Sequence, residues 1–188
     1  DLCLNSNQTD YYVSVDGNDN FDGTEEFPFL TIEQAFSVIN PDEFSIVTIH
    51  LSVGTFAPST TGEDFPIIMI SNVNLIGQGE LVTIINAEQT AGVIIMDNCQ
   101  NNIISHLQIR GGTGHGMYLH YSNPTLTHLN IVFNQSWEGG GMYISYSNPT
   151  LTDVIIGGNY GSKGAGIYFH VSNAILTNVN IHNNHSLT

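Results

Sequence analysis

Apolar and polar residues alternate in short runs along most of this chain, and Gly, Asn, Ser and Pro cut the runs at regular intervals. "GMYLHYSNPTLTHLNI" begins at Gly116, "GMYISYSNPTLTDVII" at Gly141 and "GIYFHVSNAILTNVNI" at Gly166, so the step is 25 residues each time (141 − 116, 166 − 141). Tyr118, Tyr143 and Tyr168 fall in register. So do Ser122, Ser147 and Ser172, then Leu126, Leu151 and Leu176, and finally Asn134, Asn159 and Asn184. A looser copy, "GVIIMDNCQNNIISHLQIRGG", precedes them from Gly92. Period-two alternation is the pattern of strands. A helical repeat would need a run with 3.6-residue spacing, which the Gly-Gly and Asn-Pro pairs would interrupt. Repeats built from several short strands predict an all-β solenoid, a right-handed parallel β-helix of 25-residue coils. Successive coils then pair through parallel hydrogen bonds about 4.8 Å apart, and equivalent side chains stack. Rows of Leu, Ile and Val fill the interior, while Asn rows at the turns exchange amide hydrogen bonds along the axis.

The segment ahead of the coils reads differently. "TIEQAFSVI" places Ile32, Ala35, Phe36 and Ile39 on one helical face, and Thr31 with Gln34 forms a capping-box pattern at its start. A short helix here is expected to cover the N-terminal end of the solenoid, because a bare strand edge invites further pairing. "SIVTIHLSV", "FPIIMI", "VNLIG" and "VTIIN" read as the strands that follow. The chain therefore divides into residues 1–45, holding a first strand, an acidic loop and the capping helix, and residues 46–188, holding about six coils of one domain. The repeat breaks off within "NNHSLT", so an open C-terminal coil is expected, with end-to-end self-association into fibres as one consequence.

"YYVSVDGNDNFDGTEEFPFLTIEQAFSVI", followed by "VTIHLSVGTF", resembles the opening segment of right-handed parallel β-helix proteins of the pectate-lyase-like superfamily. "IVFNQSWEGGGMYI" and "IIGGNYGSKGAGIYF" resemble the coils of bacterial surface β-helix repeat proteins. The resemblance implies the fold. It leaves function open among lyases, hydrolases, epimerases, adhesins and binding modules.

Charge narrows the field. Seventeen Asp and Glu stand against only two basic residues, Arg110 and Lys163, for a formal net charge of −15. Nucleic acid is excluded as a partner, since almost nothing could neutralise phosphates. Anionic membranes and bare polyuronate chains are disfavoured for the same reason, unless a divalent cation bridges the two. No apolar run is long enough for membrane insertion. The acidity suits a secreted or cell-surface protein. Cys3 and Cys99 form no disulfide framework, and whether they pair is open. Sequons occur at Asn7, Asn134 and Asn184.

The resemblance implies particular chemistry to look for. Lyases of this fold use an Arg or Lys base beside a calcium-neutralised carboxylate, and neither Arg110 nor Lys163 has an acidic cluster near it in sequence. Hydrolases need paired carboxylates, whereas Asp97, Glu138 and Asp153 take different positions in their coils. His106 and His128 share a slot, followed one and two coils on by Asp153 and Asn178; such a ladder could hold a metal, relay a proton or be a plain polar row. Period two turns Tyr118, Tyr143 and Tyr168 outward with His120, Ser145 and His170. A stripe of rings with polar neighbours suits sugar faces, and cross-coil stacking gives the same row without a ligand. In "DGNDNFDGTE", Asp16, Asp19 and Asp22 are candidate calcium ligands, with Asx-turns as the competing account. The leading expectation is a non-catalytic extracellular module for adhesion, glycan binding or assembly, with a carbohydrate or protein partner. The second is a fragment of a polysaccharide lyase or hydrolase acting on acidic polysaccharide.

Overall fold

A computed structural model of the chain describes residues 8–41 and 45–186. Cys3 and the sequon at Asn7 lie outside the described residues. Strand β1 (Asp10–Val13) leads to helix α1 (Ile32–Val38), and the coils follow. The first coil holds β2 (Val47–Leu51), β3 (Gly54–Phe56) and β4 (Ile67–Ile68). The second holds β5 (Val73–Ile76), β6 (Thr83–Asn86) and β7 (Ile94–Asp97). The third has β8 (Ile103–Arg110) and β9 (Met117–His120), and the fourth β10 (Thr125–Val132), β11 (Gln135–Glu138) and β12 (Met142–Ser145). The fifth is β13 (Thr150–Gly157), β14 (Tyr160–Lys163) and β15 (Ile167–His170), after which β16 (Ile175–His182) begins a sixth. The solenoid thus makes about five turns, against the six expected.

Every strand pairing is parallel, and the register is the sequence repeat itself: Leu126 faces Leu151, which faces Leu176, and Met117 faces Met142, which faces Ile167. One sheet runs β1-β2-β5-β8-β10-β13-β16 and a second β4-β7-β9-β12-β15. Between them the inward rows are closed to solvent, as at Leu107 and Leu129, Ile109 and Ile131, and Leu119 and Ile144. In β16 the same rows emerge, with Leu176 and Ile181 exposed.

The ladder of Asn134, Asn159 and Asn184 forms along the axis as expected, with Asn134 and Asn159 buried. Asn159 is fully enclosed. Its Nδ2 donates to the Ile131 carbonyl at 2.9 Å and to Asn184 Oδ1 at 3.0 Å, while its Oδ1 accepts from Asn134 N at 3.0 Å and Asn134 Nδ2 at 3.2 Å. The sequon at Asn134 is therefore a core ladder rung. Cys99 is a buried thiol that donates to the Met69 carbonyl.

The N-terminal end is closed by the chain itself. On the outer edge of β1, Tyr12 N donates to Gly23 O, Phe29 N to Tyr12 O and Ser14 N to Phe29 O. Ile32 and Ala35 of α1 are buried, as its apolar spacing predicts. Half of the predicted capping box is present: Thr31 Oγ1 accepts from Gln34 N, but the Gln34 side chain goes to Ser37. The first amides of α1 are instead satisfied from a distance. Ile32 N donates to Glu63 Oε2 at 2.9 Å and Glu33 N to Oε1 at 3.1 Å.

Glu63 is 1% exposed. Burial, opposed by the two amide donors, raises its carboxyl pKa from 4.5 to about 7. A raised folded pKa means that the protonated form is favoured in the fold. That contribution is complete below pH 4.5 and is lost as pH climbs through about 7. The linkage is on the order of 3 kcal/mol. Unfolding free energies of wild type and Glu63→Gln, measured from pH 4 to pH 8, should show wild type losing stability relative to the variant as pH rises. A constant difference would rule this out.

Candidate functional site

The outward face of β9, β12 and β15 carries an aromatic array that runs through three coils. Main-chain pairing sets Tyr118 against Tyr143 and Tyr143 against Tyr168. Their ring centroids are 5.3 and 5.4 Å apart, with planes within 8° and 21° of parallel. The rings therefore cover one another's faces along the solenoid axis, so ring edges and hydroxyls, not flat faces, border the solvent. Cross-coil stacking of the row is thus present. Burial raises the Tyr118 phenol pKa, so its hydroxyl keeps its proton.

His120 and His170 lie on the same face, with Ser145 between them in register. Neither stands alone. His120 Nδ1 is 2.9 Å from Asp97 Oδ1, which comes from the coil below. A second stack, Tyr121 on Tyr146 at 5.1 Å and 15°, runs beside the first. Tyr146 meets His120 and His170 edge-on at 6.2 and 5.3 Å, bridging the two histidines. His115 closes the other side, 5.6 Å from the Tyr118 ring and 5.3 Å from Tyr143. Its Nδ1 is 3.1 Å from the Gly139 carbonyl, and burial lowers its pKa, so the ring is neutral with Nδ1–H donating.

Tyr121, Tyr146, His115 and Asp97 were not picked out by the alternation. Tyr121 and Tyr146 adopt φ of 46° and 48°, as does Val171 one coil on, at 48°. A left-handed residue at the strand end resets the period-two count, so facing could not be read there. Their 25-residue spacing, visible in the sequence, was the available sign.

The other sequence candidates sit elsewhere. His106 and His128 stack at 4.6 Å and 6° on the β8–β10 sheet, away from the tyrosines. His128 Nε2 is 3.8 Å from Asp153 Oδ2, and Asp153 accepts from Asn178. All four residues have φ between 51° and 57°. The slot is a repeated strand bend, stacked into a ladder as expected. Among the described residues no three His, Cys, Asp or Glu side chains converge on a position that would hold a metal ion. In the acidic loop, Asp19 Oδ1 accepts from Leu30 N and Thr31 N, and Asp22 Oδ1 accepts from Thr24 N and its hydroxyl. Asp16 donates its amide to Ser14 Oγ. The carboxylates of Asp19 and Asp22 thus serve different segments, and the three aspartates do not converge as a group of metal ligands among the described residues.

Lys163 Nζ is 2.7 Å from Glu138 Oε1, and that hydrogen bond raises the lysine pKa. The three carboxylates of the later coils consequently serve three places: Asp97 beside His120, Glu138 beside Lys163, and Asp153 in the polar ladder.

With this geometry in hand, likeness to known proteins can be placed. Residues 15–81 match the profile of a family described as "Protein of unknown function (DUF1565)". No curated protein matches the sequence. Among solved structures, the pectin methylesterase PemA from Erwinia chrysanthemi superposes with a TM-score of 0.65 at 14% identity over 91% of this chain. A pectin methylesterase in complex with hexasaccharide VII gives 0.63 at 14% identity over 90%. The chain spans 54% of the length of each. In fold, this chain is a right-handed parallel β-helix of the pectate-lyase-like kind, the architecture it shares with those esterases.

Proposed function

We propose that the chain is a non-catalytic, extracellular carbohydrate-binding module that takes an extended, hydroxyl-rich polysaccharide along the solenoid axis across β9, β12 and β15. The observation that carries this is the tyrosine row: phenol groups repeat at 5.3 and 5.4 Å, with imidazoles alongside. Phenol and imidazole edges both donate and accept hydrogen bonds, which matches sugar hydroxyls. An extended polysaccharide repeats its hydroxyls along one axis, as the solenoid repeats its rungs, so a chain lying along the row can meet several of them. The net charge of −15 favours neutral or charge-masked chains over bare polyuronates. A fold shared with a pectin methylesterase in complex with a hexasaccharide supports carbohydrate as the class of partner. The dispersal of Asp97, Glu138 and Asp153 among separate neighbours supports binding over hydrolysis.

Tyr143→Phe separates this reading from simple packing. The variant keeps the ring stack and loses one hydroxyl. A lost hydrogen bond of about 1 kcal/mol weakens binding roughly fivefold. On a glycan array followed by calorimetry with the strongest neutral binder, that weakening is expected with an unchanged melting temperature. Unaltered affinity would refute the tyrosine contact, and release of new sugar ends by the wild-type chain would refute the non-catalytic reading.

A further inference from the structure

We propose a second ligand site, distinct from the tyrosine face: a cleft at the end of β8 that holds one carboxylate-bearing sugar residue, with Arg110 contacting the anion and Phe133 the apolar sugar face. The cleft is lined by Asn86, Glu88, Gln89, Arg110, Gly111 and Phe133.

Two features of these residues call for a ligand. The first is an unpaired cation. Seventeen acids surround two basic residues in this chain, and Lys163 is already matched with Glu138. Arg110 has no carboxylate within 4.0 Å among the described residues. The acid in its own cleft, Glu88, is turned to Ser59, accepting from the Ser59 amide and hydroxyl. The guanidinium fork is thus left for an anion from outside, and a planar carboxylate fits it in bidentate fashion.

The second feature is a costly phenylalanine. Phe133 is 66% exposed and sits at φ 55°, a left-handed conformation that is strained for a bulky residue, by about 1 kcal/mol or more. The left-handed bend recurs at Gly111, Gly158 and Asn183, so what is particular to this rung is a large exposed ring at a slot that glycine or asparagine fills elsewhere. In the next coil Gly158 takes the equivalent position, and a Cβ there would lie 2.8 Å from Phe133 Cε1. Because Gly158 has none, the ring can lie over it, in the cleft that Arg110 also lines. An exposed ring and a guanidinium in one cleft, with the Asn86 and Gln89 amides also lining it, offer a uronic acid its three contacts: an apolar C–H face, a carboxylate partner and hydroxyl partners. The field of the whole chain repels a run of negative charges. The ligand is therefore an acid residue that occurs singly in an otherwise neutral glycan.

Calorimetry with methyl β-D-glucuronoside and methyl β-D-glucoside tests this. Wild type should bind the glucuronoside at least about tenfold more tightly, the worth of one charge-assisted pair. Arg110→Gln should erase the preference, Arg110→Lys should restore part of it, and Phe133→Ala should weaken both glycosides alike. Melting temperatures confirm that each variant is folded. Tyr143→Phe should leave all of these affinities unchanged, so failure of the tyrosine-face reading would not register here. The proposal is overturned if wild type does not discriminate, if Arg110→Gln still does, or if a tri-uronate binds more tightly than the single acid. Glucose 6-sulfate binding as well as the glucuronoside would overturn the carboxylate assignment.

Discussion

Asn159→Leu should destabilise the domain by at least about 4 kcal/mol and lower its melting temperature by roughly 10 °C. Four hydrogen bonds converge on this one enclosed side chain, two given and two received. Leucine has nearly the right volume and none of the polar atoms. The substitution strands the buried Asn134 main-chain amide, takes the side-chain donor from the Ile131 carbonyl, and leaves Asn134 Nδ2 with Ile109 O alone and Asn184 Oδ1 with Asn159 N alone. Each buried orphan costs about 1–3 kcal/mol, and some relaxation keeps the total below the simple sum. A parallel row tests whether burial sets the size of the effect. Asn148 Oδ1 accepts from Asn173 N at 2.7 Å, and Asn148 is exposed. Asn148→Ala leaves groups that water can reach, so its cost should stay near 1 kcal/mol or below. Chemical denaturation of the two variants decides the matter. Equal losses would mean that the buried ladder is not what locks the coils together.

A change of one methyl group at Gly141 should have an effect almost as large, about 3 kcal/mol, at the upper end of the cost of overpacking. A Cβ on Gly141 would lie 2.5 Å from the Gly166 carbonyl oxygen, 2.9 Å from Asn159 Nδ2 and 2.9 Å from Ile156 Cγ2. The first of these is main chain held in the coil-to-coil ladder and cannot step aside. The second is the ladder amide just described. Gly116 stands in the same relation to Asn134, and Gly166 to Asn184, each glycine passing over the asparagine 18 residues later (134 − 116, 159 − 141, 184 − 166). The two most regular rows of the repeat therefore exist for each other, since the asparagine needs a neighbour without a side chain. Gly141→Ala measured alone and with Asn159→Ala should give less than additive losses, because the smaller side chain removes one of the clashes. Full additivity would separate the two rows.

The solenoid could be read from the chain because its constraints are local and repeated. A 25-residue step with period-two alternation fixes strand, coil and register together, and Leu126, Leu151 and Leu176 pair as that step requires. The helix could be read from Ile32 and Ala35, though not what satisfies its first amides. Glu63 arrives from 31 residues further on, and no local pattern points to it. The candidate site was half legible. The positions of Tyr118, Tyr143 and Tyr168 followed from register, but alternation says only that a side chain faces outward, never how its ring is turned. Stacking at the coil spacing turns those rings edge-on, so hydroxyls and ring edges border the solvent where flat faces were expected. Tyr121 and Tyr146 escaped because their left-handed backbone breaks the alternation. Asp97 escaped because its contact with His120 joins coils whose spacing there departs from 25 residues (120 − 97 = 23). In the acidic loop, the carboxylates of Asp19 and Asp22 accept from main-chain amides at the start of α1 and within their own turn, contacts that spacing alone does not specify.

The central claim is that an extended neutral glycan lies on β9, β12 and β15. Backbone and aromatic NMR shifts of the labelled 188-residue chain, followed during titration with the best neutral oligosaccharide from an array, test it most directly. The predicted result is saturable change concentrated at Tyr118, Tyr143, Tyr168, His120 and Tyr146. Change confined to another face, or no saturable change with any neutral oligosaccharide, would contradict it.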